Sequence, residues 1–391
     1  MKKFKSGKLI LVLMVLLPGF YDSYAQRGRT TVLSPEVLPD NSVIFRLKAP
    51  GAKTVEVYGS WPSEFKSKIP MTEKDSSLFE VKIGPLPGNM YEYEFLLNGV
   101  NILDPQNKVV TRDGPYIMNR LMVPGGQADV YEVNPVPHGR LTAVWYPSPT
   151  IGTERRMMVY TPPGYEKNTQ KYPVMYLLHG AGGDEDVWVS RGRANYILDN
   201  LIASGKAVPM IVVITNGVPD NAGAPLDRHN VVRKTVDTGG FESMLKGKFE
   251  ESLIKDIIPY VEQNYRVIAD PAHRAITGFS MGGFHTQMIT NANPGKFDYI
   301  GVMSMGLFNG PNLPDYNKES HIRQLNALKA SKPKVYWVAI GTEDFLYGTA
   351  VKLRALYDEI GFPYTYRETG GRHDWNDWRL YLSEFTPMLF R

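Results

Sequence analysis

Ile276-Thr277-Gly278-Phe279-Ser280-Met281-Gly282-Gly283-Phe284-His285-Thr286 sets a serine among glycines, with the apolar Ala275-Ile276-Thr277 leading in and a helix-compatible run leading out. A strand, a sharp turn and a helix in that order are what a G-x-S-x-G nucleophile elbow requires. The glycines let strand and helix approach closely while the serine is pushed out above the sheet. The pentapeptide alone is a weak signal in a chain with 36 glycines, and it is equally compatible with a plain tight turn. A serine hydroxyl attacks nothing at neutral pH unless a base takes its proton and donors hold the resulting oxyanion. The reading of Ser280 therefore depends on the rest of the chain.

Around it, from about His138 onward, apolar runs of strand length alternate with helical patterns. Val174-Met175-Tyr176-Leu177-Leu178, Met210-Ile211-Val212-Val213-Ile214 and Val335-Tyr336-Trp337-Val338-Ala339-Ile340 are such runs, and 249–265 and 350–360 carry apolar residues at three and four spacing. This alternation predicts a mostly parallel sheet with helices on both faces. Between Thr30 and about Val123 the texture differs. Short alternating segments such as Ser42-Val43-Ile44-Phe45-Arg46-Leu47, Thr54-Val55-Glu56-Val57-Tyr58 and Tyr91-Glu92-Tyr93-Glu94-Phe95, punctuated by turn residues, predict a small antiparallel sandwich. Trp61, Tyr91 and Tyr93 are candidate sugar contacts there, although alternation puts at least some of them in the core. Pro124-Gly125-Gly126 and Asn134-Pro135-Val136-Pro137 separate the two textures.

The partners a serine nucleophile needs fall in order along the second region. Leu177-Leu178-His179-Gly180-Ala181-Gly182-Gly183 follows a strand where such sheets carry a glycine-rich loop that contributes a backbone N–H to an oxyanion hole, so Ala181 and Met281 are the candidate donors. His179 is assigned to shaping that loop. Of the seven histidines, His321 and His373 lie far enough beyond Ser280. His321 stands in the polar Lys318-Glu319-Ser320-His321 with no strand ahead, whereas His373 follows the strand Tyr364-Thr365-Tyr366-Arg367-Glu368 and the turn Gly370-Gly371, so His373 is taken as the base. Gly341-Thr342-Glu343-Asp344 supplies two carboxylates at a strand end. Asp344 is preferred over Glu343 as the acid, and Asp374 is read as solvated or structural.

Composition bounds the rest. The chain has 391 residues, 43% hydrophobic, enough for a large core and two domains. Lys2, Lys3, Lys5 and Lys8, the apolar 9–17 and Ser23-Tyr24-Ala25 read as a secretory signal over residues 1–25, which predicts an exported protein, periplasmic or secreted, with no stable membrane insertion after cleavage. The run is shorter than the roughly 20 apolar residues of a membrane span. The absence of cysteine excludes disulfides, thiolate metal sites and a cysteine nucleophile. Of the net charge of +4, the signal's four lysines less Asp22 supply +3, so nothing points to a nucleic-acid binder. No metal or organic cofactor is expected.

Arg156-Met157-Met158-Val159-Tyr160-Thr161-Pro162-Pro163-Gly164-Tyr165, Tyr172-Pro173-Val174-Met175-Tyr176-Leu177-Leu178-His179-Gly180, Pro209-Met210-Ile211-Val212-Val213 and Gly278-Phe279-Ser280-Met281-Gly282-Gly283 resemble the esterase D-like α/β-hydrolases. Within these they are most similar to the family 1 carbohydrate esterases, a resemblance covering roughly 138–391. The earlier region resembles the early-set sandwiches of family 48 carbohydrate-binding modules through Phe45-Arg46-Leu47-Lys48-Ala49-Pro50, Gly84-Pro85-Leu86-Pro87 and Asp104-Pro105. The expected fold is thus an α/β-hydrolase domain (138–391) preceded by a sandwich (26–128) and a linker (129–137). The resemblance implies a serine esterase that removes feruloyl groups from arabinoxylan, the partner being a plant cell-wall oligosaccharide or polysaccharide ester. Trp188, Phe279 and Trp375 are candidates to stack on the acyl ring or a sugar, each also suited to core packing. Acetylxylan esterase, siderophore (enterochelin-type) esterase and a carbohydrate-binding protein with an inactive esterase domain are the alternatives.

Overall fold

A computed structural model describes residues 32–391 except 63, 76, 222, 224–246 and 308–315. The expected signal, the cleavage point near Gln26 and His229 lie outside the described residues. Among the described residues the strands form three sheets.

The first two come from the N-terminal region. One contains β1 (Glu36–Val37), β2 (Val43–Lys48), β5 (Thr72–Asp75) and β6 (Leu78–Ile83). The other contains β3 (Val55–Gly59), β4 (Lys68–Pro70), β7 (Asn89–Leu97), β8 (Val100–Ile102), β9 (Val110–Asp113) and β10 (Tyr116–Val123). Every pairing in both sheets is antiparallel. Val43, Phe45 and Leu47 alternate inward on β2, as period-two patterning requires, and pack with Trp61, Tyr91 and Tyr93 in a common core. These last three are buried to 4%, 1% and 0% exposure, so none of them is open to a sugar.

The third sheet has the order β11 (Arg140–Ser148), β12 (Thr153–Thr161), β14 (Ile211–Thr215), β13 (Val174–Leu178), β15 (Arg274–Phe279), β16 (Tyr299–Met303), β17 (Val335–Gly341) and β18 (Thr365–Thr369). From β14 to β18 neighbouring strands run parallel, and β11 and β12 close one edge antiparallel. The central strands β13 to β16 are buried along their whole length, because helices cover both faces. Tyr176 and Leu178 join one core with Phe249, Leu253 and Val261, while Met175 and Leu177 join the other with Trp375, Trp378 and Phe385. The stretch expected as a linker begins inside the helical turn Ala128–Tyr131, and Tyr131 and Met90 are buried in that second core.

This topology positions the site. The chain leaves β13 toward β14 on one side, then returns to place β15 on the other, making β13/β15 the switch point where sheets of this kind open a crevice at their carboxyl ends. Leu178 is in register with Gly278, so the loop after β13 and the turn after β15 start side by side. Gly341 is in register with Thr369, which does the same for the loops carrying Asp344 and His373.

Candidate active site

Ser280 stands between β15 and the helix Met281–Ala292 with φ 53° and ψ −119°. This is a sparsely populated conformation for a residue with a side chain, and such strain persists only where the surroundings impose it. They do so here: a Cβ on Gly282 would lie 2.7 Å from the Leu178 carbonyl oxygen, so only glycine lets the helix start this close to β13. The Ser280 N–H is held by the Met303 carbonyl at 2.9 Å.

His373 Nε2 lies 2.9 Å from Ser280 Oγ, and its Nδ1 lies 2.9 Å from both carboxylate oxygens of Asp344. Asp344 accepts only, which fixes the proton on Nδ1 and leaves Nε2 free to accept from the serine hydroxyl. Asp344 is 3% exposed and also accepts from the Leu346 N–H, so its carboxylate is oriented. Glu343 instead turns outward to Arg372 at 3.0 Å. Asp374 caps the helix Trp375–Phe385 by accepting from the Asn376 and Asp377 N–H groups. His321 is half-buried beside Asn291 and Tyr316, away from this chain of groups.

Met281 is the first residue of its helix, where N–H groups have no intrahelical acceptor. Ala181 is exposed at the tip of the loop after β13, and among the described residues neither N–H enters a turn or cap hydrogen bond. His179 does shape that loop. Its Nδ1 meets the Gly180 carbonyl at 2.7 Å and its Nε2 accepts from the Gly217 N–H at 2.9 Å, while burial lowers its pKa. A neutral imidazole with one proton matches both contacts.

Trp188, Phe279 and Trp375 are corrected. They are 0%, 4% and 4% exposed and pack edge to face on one another at 4.8 to 5.3 Å, and Phe279 stacks on Trp378 at 3.8 Å. Trp378 in turn meets the His373 ring edge at 5.2 Å. These side chains form an aromatic floor beneath the imidazole and present no open face to a ligand. Among the described residues, an exposed aromatic beside the imidazole is Phe345, 76% exposed with its ring 4.3 Å from the His373 ring, which sequence reasoning missed. Its signal was its place next to Asp344 in a strand-end loop. The Asp377 carboxylate, also missed, holds the His373 loop by accepting from Thr369 Oγ1 at 3.1 Å and the Arg372 N–H at 2.8 Å. Burial, then the charge of Asp374, pushes its pKa up to about 6. Among the described residues no cluster of His, Asp and Glu suits a metal ion.

Comparison with known proteins places these features in a family. The family model described as "Putative esterase" matches residues 148–389, well over half the chain, and one described as "Glycogen recognition site of AMP-activated protein kinase" matches residues 41–128. An "Endo-1,4-beta-xylanase/feruloyl esterase" of Xylanibacter ruminicola is 27% identical over 363 residues, covering 91% of this chain and 46% of that protein. "Endo-1,4-beta-xylanase Y" of Acetivibrio thermocellus is 26% identical over 282 residues, 66% of this chain and 24% of that one. The chain thus spans less than half the length of these relatives. Among solved structures, a CE1 ferulic acid esterase of Anaeromyces mucronatus in complex with ferulic acid superposes with a TM-score of 0.56 at 25% identity, covering 66% of this chain and 93% of that one. Enterochelin esterase of Shigella flexneri, at 15% identity, shares the fold over 91% of this chain and 95% of its own with a TM-score of 0.63. By its match over residues 148–389 and its α/β-hydrolase fold, the chain belongs to the esterase family.

Proposed function

We propose that this protein is an exported serine carboxylic-ester hydrolase acting on plant cell-wall polysaccharide, releasing ferulate from feruloylated arabinoxylan. The observation that carries the reading is the hydrogen-bonded chain from Ser280 through His373 to Asp344 at 2.9 Å per link. Ser280 Oγ attacks the ester carbonyl as His373 Nε2 takes its proton. Asp344 stabilises the imidazolium, and the Ala181 and Met281 N–H groups receive the oxyanion. His373 then protonates the leaving alcohol, and water, activated by the same imidazole, releases the acid. Ferulate as the acyl group is supported by the names of the relatives and by Phe345, an exposed ring beside the reacting centre suited to a flat phenolic group. Export is supported by the pattern of residues 1–25.

The test is a side-by-side assay of methyl ferulate, feruloylated arabinoxylan fragments, acetylated xylan and a catecholate siderophore, with Ser280→Ala as the blank. The expected order places the feruloylated fragments first, because sugar contacts add to transition-state stabilisation. Acetate release without ferulate release makes the protein an acetylxylan esterase instead.

A further inference from the structure

The loop from Ala181 to Asp186 is gripped from outside its own sheet. Arg112, on β9 of the N-terminal region, places Nη1 2.5 Å from Asp184 Oδ2 and Nη2 2.9 Å from Asp184 Oδ1, a two-pronged contact, and Nη2 also reaches Asp186 Oδ2 at 3.0 Å. Asp184 is 4% exposed, so the pair is shielded. Arg112 Nη1 also donates to the Gly114 carbonyl at 2.9 Å, tying the fork to the β9–β10 turn. Gly114, at φ +53°, presses directly on the same loop: a Cβ there would lie 2.1 Å from the Gly182 carbonyl oxygen. Two further bonds clamp this edge, from Ser190 Oγ to the Arg112 carbonyl at 2.7 Å and from Thr111 Oγ1 to the Ser190 carbonyl at 3.2 Å. From the hydrolase side, Arg156 on β12 holds Glu185 and Asp186 at 2.6 Å each, and Asn216 holds Glu185 at 2.8 Å.

Three glycines in Gly180-Ala181-Gly182-Gly183 leave this backbone soft, whereas an oxyanion donor must sit within a few tenths of an ångström of its working distance. Arg156 and Asn216 fix the far end of the loop. Near the tip, His179 holds the Gly180 carbonyl from within the hydrolase region, and Arg112 and Gly114 restrain Asp184 and Gly182 from the N-terminal region. We infer that Arg112 is a positioning residue for the proposed hydrolysis: by holding Asp184 across the boundary between the two regions, it sets the place of the Ala181 N–H, making the N-terminal sandwich part of the catalytic apparatus. The inference rests on the serine-esterase reading above. A planar guanidinium suits the task because its fork matches a carboxylate in one orientation, which an ammonium does not.

The test uses the full chain and p-nitrophenyl acetate, an ester without a sugar, so that any glycan binding by the sandwich cannot contribute. Arg112→Lys keeps the charge and removes the fork. The double variant Arg112→Gln with Asp184→Asn removes both charges, so no buried carboxylate is left unpaired if the single variant fails to fold. Arg46→Gln, which breaks ion pairs on the N-terminal sheet that does not carry Arg112, is the control for general weakening. Both clamp variants are expected to lose about tenfold to a hundredfold in kcat, as sub-ångström misplacement does, with KM within about threefold of the parent. Binding of a boronic acid that forms a tetrahedral adduct on Ser280 should weaken in parallel, and Arg46→Gln should keep the parental kcat. A folded clamp variant with parental kcat, or a loss confined to KM, overturns the inference and leaves the esterase reading standing. A parent protein that hydrolyses no ester overturns both.

Discussion

At the scale of single residues, the strain at Ser280 and the two bonds of His373 carry the clearest expectations. Ser280→Ala and His373→Ala should each lower kcat on the order of 10⁴ to 10⁶, because the proposed nucleophile and base would act as one unit, and Asp344→Asn should cost somewhat less. Glu343→Gln should stay within about twofold of the parent, since its carboxylate is exposed on Arg372 rather than on the imidazole. A crippled Glu343→Gln beside an active Asp344→Asn reverses the assignment of the acid. Phe345→Ala should raise KM for methyl ferulate by about threefold to tenfold, the worth of one aromatic contact, and leave KM for an acetyl ester unchanged. Equal changes for both esters would remove Phe345 from the acyl site. The strand-end positions of Ser280, of the Glu343-Asp344 pair and of His373 could be read from the sequence because each follows a strand in a fixed order. Phe345 and Asp377 could not, because exposure beside a ring and a carboxylate folding back on its own loop are properties of three dimensions.

The helix Trp375–Phe385 shows how one element serves both stability and the site. Asp374 caps its start, Asp377 ties its first turn to the His373 loop, and Trp375 and Trp378 build the aromatic floor. Trp375→Ala should cost about 3–5 kcal/mol of stability, read as a lower Tm, with KM for feruloyl esters unchanged in the protein that remains folded. A raised KM at unchanged Tm would restore Trp375 as a ligand contact. Asp377 gives this element a pH dependence. Its folded pKa of about 6 lies above the ordinary 3.8, so the folded state holds that proton more tightly than the unfolded chain does. Stability from this group is full below about 3.8 and is lost as pH rises through about 6. Asp377→Asn keeps an acceptor for the Arg372 N–H, and it should raise Tm at pH 8 while changing it little at pH 4. A Tm difference that is the same at both values contradicts the assigned shift. Sequence spacing could not tell a tryptophan that faces a ligand from one that faces the sheet, since both satisfy the same pattern.

Across the whole molecule, the two regions share more than a covalent connection. Met90 and Tyr131 lie in the hydrolase core, and Arg191 pairs with Glu92 and Asp113. Arg379 donates to the Met90 carbonyl at 3.0 Å and Arg193 donates to the Tyr131 carbonyl at 2.6 Å. A chain starting at residue 138 should therefore be poorly soluble or show a markedly lower Tm than the full protein, as removal of the partners of buried cations predicts. Full solubility and parental Tm would make the sandwich an independent appendage.

By itself the sequence determined the alternation of strands and helices, the antiparallel texture ahead of it, and the order of serine, acid and histidine. Each of these is written in local periodicity and in residues that strand ends and turns demand. Only the tertiary structure decided that Trp188, Phe279 and Trp375 are buried while Phe345 is open, that Asp344 rather than Glu343 reaches His373, and that Arg112, 72 residues before Asp184, grips the loop beside Ser280. Contacts between distant segments depend on how two sheets dock, and the free energy of that docking is spread over both surfaces, so no short stretch of either carries its signature.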